Sequence, residues 1–228
     1  MRNTILAIAL AAIASPLGAQ AAQQAAKDND PTHKVAGGIS AAGWMGRIDP
    51  QAERRGMKIE DAKFVSMGSG YHVTSGPAAI YWNPKDAARG SYTVSASFTQ
   101  TKAPMHPEAY GLFIGGSNLN DSTQSYVYFE TRGDGKYLIN HRAGNDVHKI
   151  VDWTETDATN KQDAAGKSTN ELAIRVRPDS VDFLANGKVV KAFSKTEMHN
   201  FAAEGQTGIR VNHNLDVHVD KFQVKHGK

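Results

Sequence analysis

One stretch of the sequence concentrates side chains that can hold a polar ligand. Two alternating runs flank Gly133-Asp134-Gly135, and strand alternation puts Tyr126, Tyr128, Glu130 and Arg132 on one face, with Val127, Phe129 and Thr131 on the other. Asp-Gly favours the positive φ values of a tight hairpin turn. With the turn at Asp134-Gly135, Arg132 stands opposite Tyr137, Glu130 opposite Ile139 and Tyr128 opposite His141, so Tyr137 and His141 join the same face. Such a surface suits a sugar: aromatic rings stack on the C–H face of a pyranose, while fixed polar groups orient its hydroxyls. Trp82, in Tyr81-Trp82-Asn83-Pro84, is a further ring just before a proline expected to end its strand; it is either core or a platform at the rim. The expected ligand-binding set is Tyr128, Glu130, Arg132, Tyr137, His141 and Trp82. The plainer alternative is a solvated sheet face with ordinary cross-strand pairs.

Other constellations carry less. Asp216, His218 and Asp220 alternate along one run, but three alternate ligands on a strand span about 13 Å from first to last, too far for one ion without other partners. They read as a solvent-facing stripe, and no metal is expected. His106-Pro107-Glu108 lies in a loop before a strand, and the turn that requires Gly133 and Asp134 accounts for Arg132-Gly133-Asp134 without adhesion. A glycosidase needs two carboxyls at a set separation. Glu130 is the best single carboxyl, with Asp146 or Asp152 as conceivable partners, yet spacing supports neither pair. Met67-Gly68-Ser69-Gly70-Tyr71 lacks the spacing of a serine nucleophile elbow, and the phosphate-loop and dinucleotide glycine patterns are absent. No catalytic residue and no cofactor is assigned.

The elements that must position these residues are short strands. Runs rich in β-branched and aromatic residues, punctuated by Gly, Asn, Asp and Pro, recur from Lys63 to Val224, the pattern of a sandwich or barrel. Asn186-Gly187, between Val181 to Leu184 and Val189 to Phe193, is the strongest hairpin signal. Helix evidence is confined to Asp49 to Asp61, which contains Pro50 and Gly56 and holds at most a short turn. Trp44 and Trp153 read as core or edge packing.

Composition bounds the class. The chain has no cysteine, which removes disulfides, thiolate metal sites and a cysteine nucleophile, so the fold rests on its core. Met1 to Ala21 has a basic residue at Arg2, an apolar run from Ile5 to Ile13 and small residues at Ala19-Gln20-Ala21, the three parts of a secretory signal peptide. That run is shorter than the roughly 20 apolar residues that span a bilayer. The formal charge of +3, spread along the chain in both signs, marks no nucleic-acid or anionic-membrane footprint.

Read in order, several stretches resemble one known family: Gly90-Ser91-Tyr92-Thr93-Val94, Tyr110 to Gly116, Tyr126 to Asn140, Asn170 to Arg175 with Phe183 to Gly187, and the closing Gly208 to Val211 and Val217 to Val224. Their succession is similar to the concanavalin A-like lectin/glucanase superfamily, in particular its laminin-G-like members and the domain of 3-keto-disaccharide hydrolases, over about residues 43–225. The resemblance implies an all-β jelly roll, a sandwich of two curved antiparallel sheets whose concave face holds sugar in many members. The glucanase branch carries Glu, Asp and Glu at alternate strand positions. This chain has no such motif, so glucanase chemistry does not carry over. The expectation is a signal peptide at 1–21, a flexible leader at 22–42 and one β-sandwich at 43–228. Its partner is carbohydrate, bound without catalysis in the periplasm or outside the cell, with no nucleic acid and no membrane insertion. The alternatives are a glycoside or keto-disaccharide hydrolase and a structural envelope protein without a small ligand.

Overall fold

A computed structural model of the protein describes residues 32–194, 196–198 and 202–227. The signal peptide expected at 1–21 and the first part of the leader lie outside them. Short strands fill the described chain: β1 (Gly38–Ile39), β2 (Met45–Ile48), β3 (Lys63–Met67), β4 (Gly70–Thr74), β5 (Ala79–Ala88), β6 (Tyr92–Gln100), β7 (Ala109–Ser117) and β8 (Ser125–Arg132). Then come β9 (Lys136–Ala143), β10 (Asp146–Glu155), β11 (Ser168–Val176), β12 (Ser180–Ala185), β13 (Lys188–Ser194), β14 (Gly205–Val211) and β15 (Asp216–His226). Helix α1 (Pro50–Arg54) and a 3₁₀ turn at Ile59–Asp61 lie in the stretch read as a short turn. No helix among the described residues is long and apolar enough to cross a membrane.

The strands form two sheets. Sheet one has the order β1-β3-β4-β15-β6-β11-β12-β13, and sheet two β10-β9-β8-β7-β14-β5-β2. Every ladder is antiparallel except that of β1 with β3. The sheets face each other across one core, riveted by aromatic pairs that take one ring from each: Phe64 with Tyr81 at 4.5 Å, Phe98 with Tyr110 at 5.4 Å, and Phe129 with Phe183 at 5.6 Å between ring centres. Alternation sends residues to this core. In β6, Tyr92, Val94, Ala96 and Phe98 are buried while Thr93, Ser95, Ser97 and Thr99 are not. Trp44 packs there too, against Phe64 and Tyr71.

Three expectations need correction. The fold starts ahead of residue 43, because β1 pairs in parallel with β3 and the Ser40 amide donates to the Phe64 carbonyl. Pro84 does not end its strand: β5 runs on to Ala88. The missing proline N–H falls past Trp82, the last residue paired with β2, and inside the bulge where the β14 ladder jumps from Trp82 to Ala87.

The third is the β8–β9 hairpin. Only Gly135, at φ +86°, adopts a positive φ in the turn, and its amide donates to the Arg132 carbonyl at 3.0 Å. That is a type I turn closed by a glycine bulge, not a two-residue turn. The ladder therefore pairs Thr131 with Tyr137, Glu130 with Leu138 and Tyr128 with Asn140. A slip of one residue turns a strand over, so Tyr137 and His141 lie on the face opposite Tyr128, Glu130 and Arg132. At Asn186-Gly187 both residues have positive φ, 48° and 80°, as the primed turn of that hairpin requires.

Removal of a ring from the inter-sheet rivets tests this core. Phe129→Ala should lower the unfolding free energy by about 3–5 kcal/mol in urea titrations. Val189→Ala, at a side chain half exposed on edge strand β13, should stay within about 0.5 kcal/mol of wild type.

Candidate functional site

The inner strands β7, β8, β9 and β14 of sheet two are largely buried on both faces, and the sheet's outer face carries the candidate site. Two rows cross it. One runs Asn140, Tyr128, Phe113, Gly208, Trp82 and Met45; the other runs Leu138, Glu130, Gly111, Arg210, Ile80 and Arg47. Glycine in the middle of each row is steric: a Cβ on Gly208 would stand 2.5 Å from the Phe113 ring, and one on Gly111 1.9 Å from the Phe129 carbonyl oxygen. A second apolar cluster, including Ile80, Trp82, Phe113, Leu119, Tyr126 and Tyr128, fills the centre of this face.

Buried charges sit beside that cluster. Asp49, one residue past β2, accepts hydrogen bonds from Arg210 Nη1 at 2.8 Å and Nη2 at 2.9 Å, and from Arg142 Nη2 at 3.0 Å. Arg142 is on β9, and four strands separate β9 from β2. At about 4.8 Å per strand step these positions would be about 24 Å apart on a flat sheet. Two side chains on opposite sides of the sheet meet, so the outer face must curl into a concave surface. Arg210 lies at its centre: its guanidinium stands 4.6 Å above the Tyr128 ring, donates to the Tyr126 hydroxyl at 3.2 Å, and pairs with Glu130 Oε1 at 3.4 Å.

The network separates the two carboxyls electrostatically. Burial alone would raise Asp49, but Arg210 and then Arg142 hold it below its ordinary value. Glu130, 1% exposed, is raised by burial to about 7 despite Arg210, and the neighbouring Asp49 charge pushes the same way. Asp49 stays an anion while Glu130 is poised to hold a proton near neutrality.

The face opens at both ends. At the Asp49–Arg210 end is a pocket of about 200 Å³, rimmed by Gln51, Arg55, Glu108, Asn212 and His213. His213 Nε2 lies 3.2 Å from Glu108 Oε1, and that contact raises the imidazole above its ordinary value. At the other end Met45, Trp82, Asn118, Asn120, Asp121 and Gln206 line a cleft of about 350 Å³.

Of the expected residues, Tyr128, Glu130, Arg132 and Trp82 share this concave face. Tyr128 and Glu130 lie beneath Arg210, Trp82 lines the second cleft, and Arg132 bonds Asp134 and stacks 4.1 Å over Trp153. Tyr137 and His141 do not join them. Tyr137 packs on Phe129 and donates to the Val190 carbonyl, and His141 contacts the Ser125 hydroxyl at 2.9 Å, because the glycine bulge reversed their strand. Asp146 and Asp152 are exposed on the edge strand β10, Asp152 bound to Lys149, so neither partners Glu130. Asp49, Arg142 and Arg210 escaped the sequence reading. Alternation through Gly208-Ile209-Arg210-Val211 places Arg210 opposite the core residues, but nothing local marks Asp49, which reads as the residue before a helix-starting proline.

Breaking the network should be costly and pH-dependent. Arg210→Met takes the main partner from Asp49, whose side chain keeps 19% exposure, and should cost up to about 3 kcal/mol. A carboxyl raised in the folded state stabilises it fully below its ordinary value and loses that contribution as pH climbs through the raised one. For Glu130 the window runs from 4.5 to about 7. Between about pH 5 and about pH 8, wild type should lose about 2–3 kcal/mol that Glu130→Gln does not lose, read from urea unfolding at each pH.

No protein-family model matches the sequence, and no curated protein matches it. Solved structures do. The chain is similar to a carbohydrate binding module, CBM66, from Bacillus subtilis, at TM-score 0.59 and 11% identity over 83% of this chain and 99% of that one. It is also similar to an endo-β-1,3-glucanase from Pyrococcus furiosus, at TM-score 0.54 and 10% identity over 82% and 89%. A protein of unknown function with a galectin-like fold from Bacillus subtilis aligns at TM-score 0.54 and 12% identity over 80% and 89%. The fold of this chain is therefore a two-sheet antiparallel jelly roll, shared with these structures.

Proposed function

We propose that this protein is an exported, non-catalytic carbohydrate-recognition domain that takes one sugar unit into the polar pocket of its concave face. The observation that carries the proposal is the floor of that pocket: an aspartate and an arginine fixed by buried partners, within a rim that offers donors and acceptors from Gln51, Arg55, Glu108, Asn212 and His213. Sugar hydroxyls both donate and accept, so a prearranged set of both kinds suits them, and rigid partners spare the ordering cost of binding. About 200 Å³ is below the range of drug-sized sites, which favours a single ring over a chain segment. Tyr128 and Glu130 act through Arg210, while Trp82, only 3% exposed, shapes the wall of the far cleft without presenting a ring face to it.

The fold shared with a carbohydrate binding module and a glucanase supports this class of ligand. Absence of catalysis is favoured by the carboxyls themselves. Asp49 is tied to two arginines and Glu130 is sealed beneath Arg210. Export rests on the signal-peptide pattern at Met1 to Ala21, with the periplasm or the exterior as destination, and the strand succession resembles the laminin-G-like and 3-keto-disaccharide hydrolase members of the concanavalin A-like superfamily.

A glycan array with wild type, Gln51→Ala, Glu108→Gln and His213→Ala tests the site, each variant checked by thermal melting. Binding should fall about five- to 150-fold in the rim variants, the scale of a contact worth about 1–3 kcal/mol, while their melting stays close to wild type. A wild type that binds no glycan would favour a structural envelope role. Equal binding by all three variants would move the site to Trp82 and the second cleft.

A further inference from the structure

The outer face of sheet one carries a cross-strand histidine pair. His72 on β4 stands directly opposite His218 on β15, with ring centres 6.0 Å apart. Each ring is oriented by a carboxylate at Nε2: Asp216 Oδ1 at 3.1 Å from His72 and Asp220 Oδ2 at 3.3 Å from His218. Both Nδ1 atoms are shielded and have no hydrogen-bond partner. The two rings, Asp220, Thr101 and the half-exposed Met67 line one open cleft of about 500 Å³.

We propose that His72 and His218 form a site for one late first-row divalent metal ion, with Cu²⁺ preferred over Ni²⁺ and Zn²⁺. A carboxylate on one imidazole nitrogen with the metal on the other is the recurrent arrangement of metal-bound histidine, and here the carboxylates are in place while the opposite nitrogens lack partners. The separation fits. With a metal–nitrogen bond of about 2.0–2.1 Å and about 1.2 Å from nitrogen to ring centre, two imidazoles sharing one ion have centres at most about 6.5 Å apart. The 13 Å span that argued against Asp216, His218 and Asp220 does not apply, because the two ligands come from neighbouring strands and the aspartates serve as orienting partners. Among the described residues no three ligating side chains converge on one point. The imidazoles therefore supply two positions, and water or the nearby Met67 thioether completes the shell. Imidazole with a thioether at hand favours copper, at the top of the divalent affinity order.

Calorimetric titration of the untagged chain with Cu²⁺, Ni²⁺ and Zn²⁺ tests this. One equivalent of Cu²⁺ should bind with a Kd of about 10 µM or below, and more tightly than the other two ions. His72→Ala and His218→Ala should each weaken it at least tenfold, Asp220→Asn should weaken it less, and His148→Ala, from the other cross-strand histidine pair, should leave it unchanged. Binding no tighter than about 1 mM, indifference to both variants, or loss with His148→Ala would overturn the proposal. Should either variant fail to fold, electron paramagnetic resonance of Cu²⁺ on wild type decides: coupling to two nitrogens is expected, and none overturns the site.

Discussion

The contact between Asp49 and Arg210 holds the candidate site together, and with Arg142 it reaches across six of the seven strands of sheet two, from β2 to β9. Desolvation makes such a pair expensive, and the attraction repays it only when the remaining donors and acceptors are met. Here they are met only in part, because Arg210 Nε, Arg142 Nε and Glu130 Oε1 are buried without a hydrogen-bond partner. Asp49 accepts three hydrogen bonds, and Arg210 gives its outer nitrogens to Asp49 and Tyr126, lays its plane on Tyr128 and turns Nε towards Glu130. An apolar filling of the same volume would pack as well, yet it would leave nothing polar at the pocket floor. The charges thus supply the polar floor on which the proposed carbohydrate site rests.

The same network explains what the sequence showed and what it hid. Fold class and most strands were legible because burial alternates strictly along strands of sheet one such as β6 and β11, with apolar residues at most of the inward positions. Sheet two is different. In β7 every residue from Ala109 to Gly116 is buried, and β8 is buried from Tyr126 to Thr131, so alternation no longer sorts core from surface. The outward residues of Tyr126 to Arg132 could be read from their period, but not that most of them would lie under an arginine from β14. The register of β9 depended on whether Asp134 joined Gly135 at positive φ, and it did not. Gly133-Asp134-Gly135 permits either turn; the bulge at Gly135, braced by Asp134 against Arg132 and the Lys136 amide, decided it.

Asp49 was invisible for a different reason. Its partners are 93 and 161 residues away, and the curl that brings them together belongs to the whole sheet rather than to any local segment. A local reading of Asp49-Pro50 finds a helix start, which is also true, since α1 begins there. The residue does both jobs because the helix leaves the sheet at the point where the concave face closes.

Curl also makes the two faces of the molecule chemically unlike. On the concave face side chains converge, shield one another and become fixed, so even charged groups such as Glu130 and Arg210 are nearly inaccessible. On the outer face of sheet one the side chains are less crowded and remain partly open to water: His218 keeps 25% exposure and Asp220 39%. A rigid, desolvated array binds by prearrangement and gains little from adjusting. A cross-strand pair already oriented by its carboxylates meets an ion at the entropic cost of ordering few further groups. The concave face thus suits a neutral ligand that must be matched hydroxyl by hydroxyl, and the opposite face suits a small cation that draws its own ligands in.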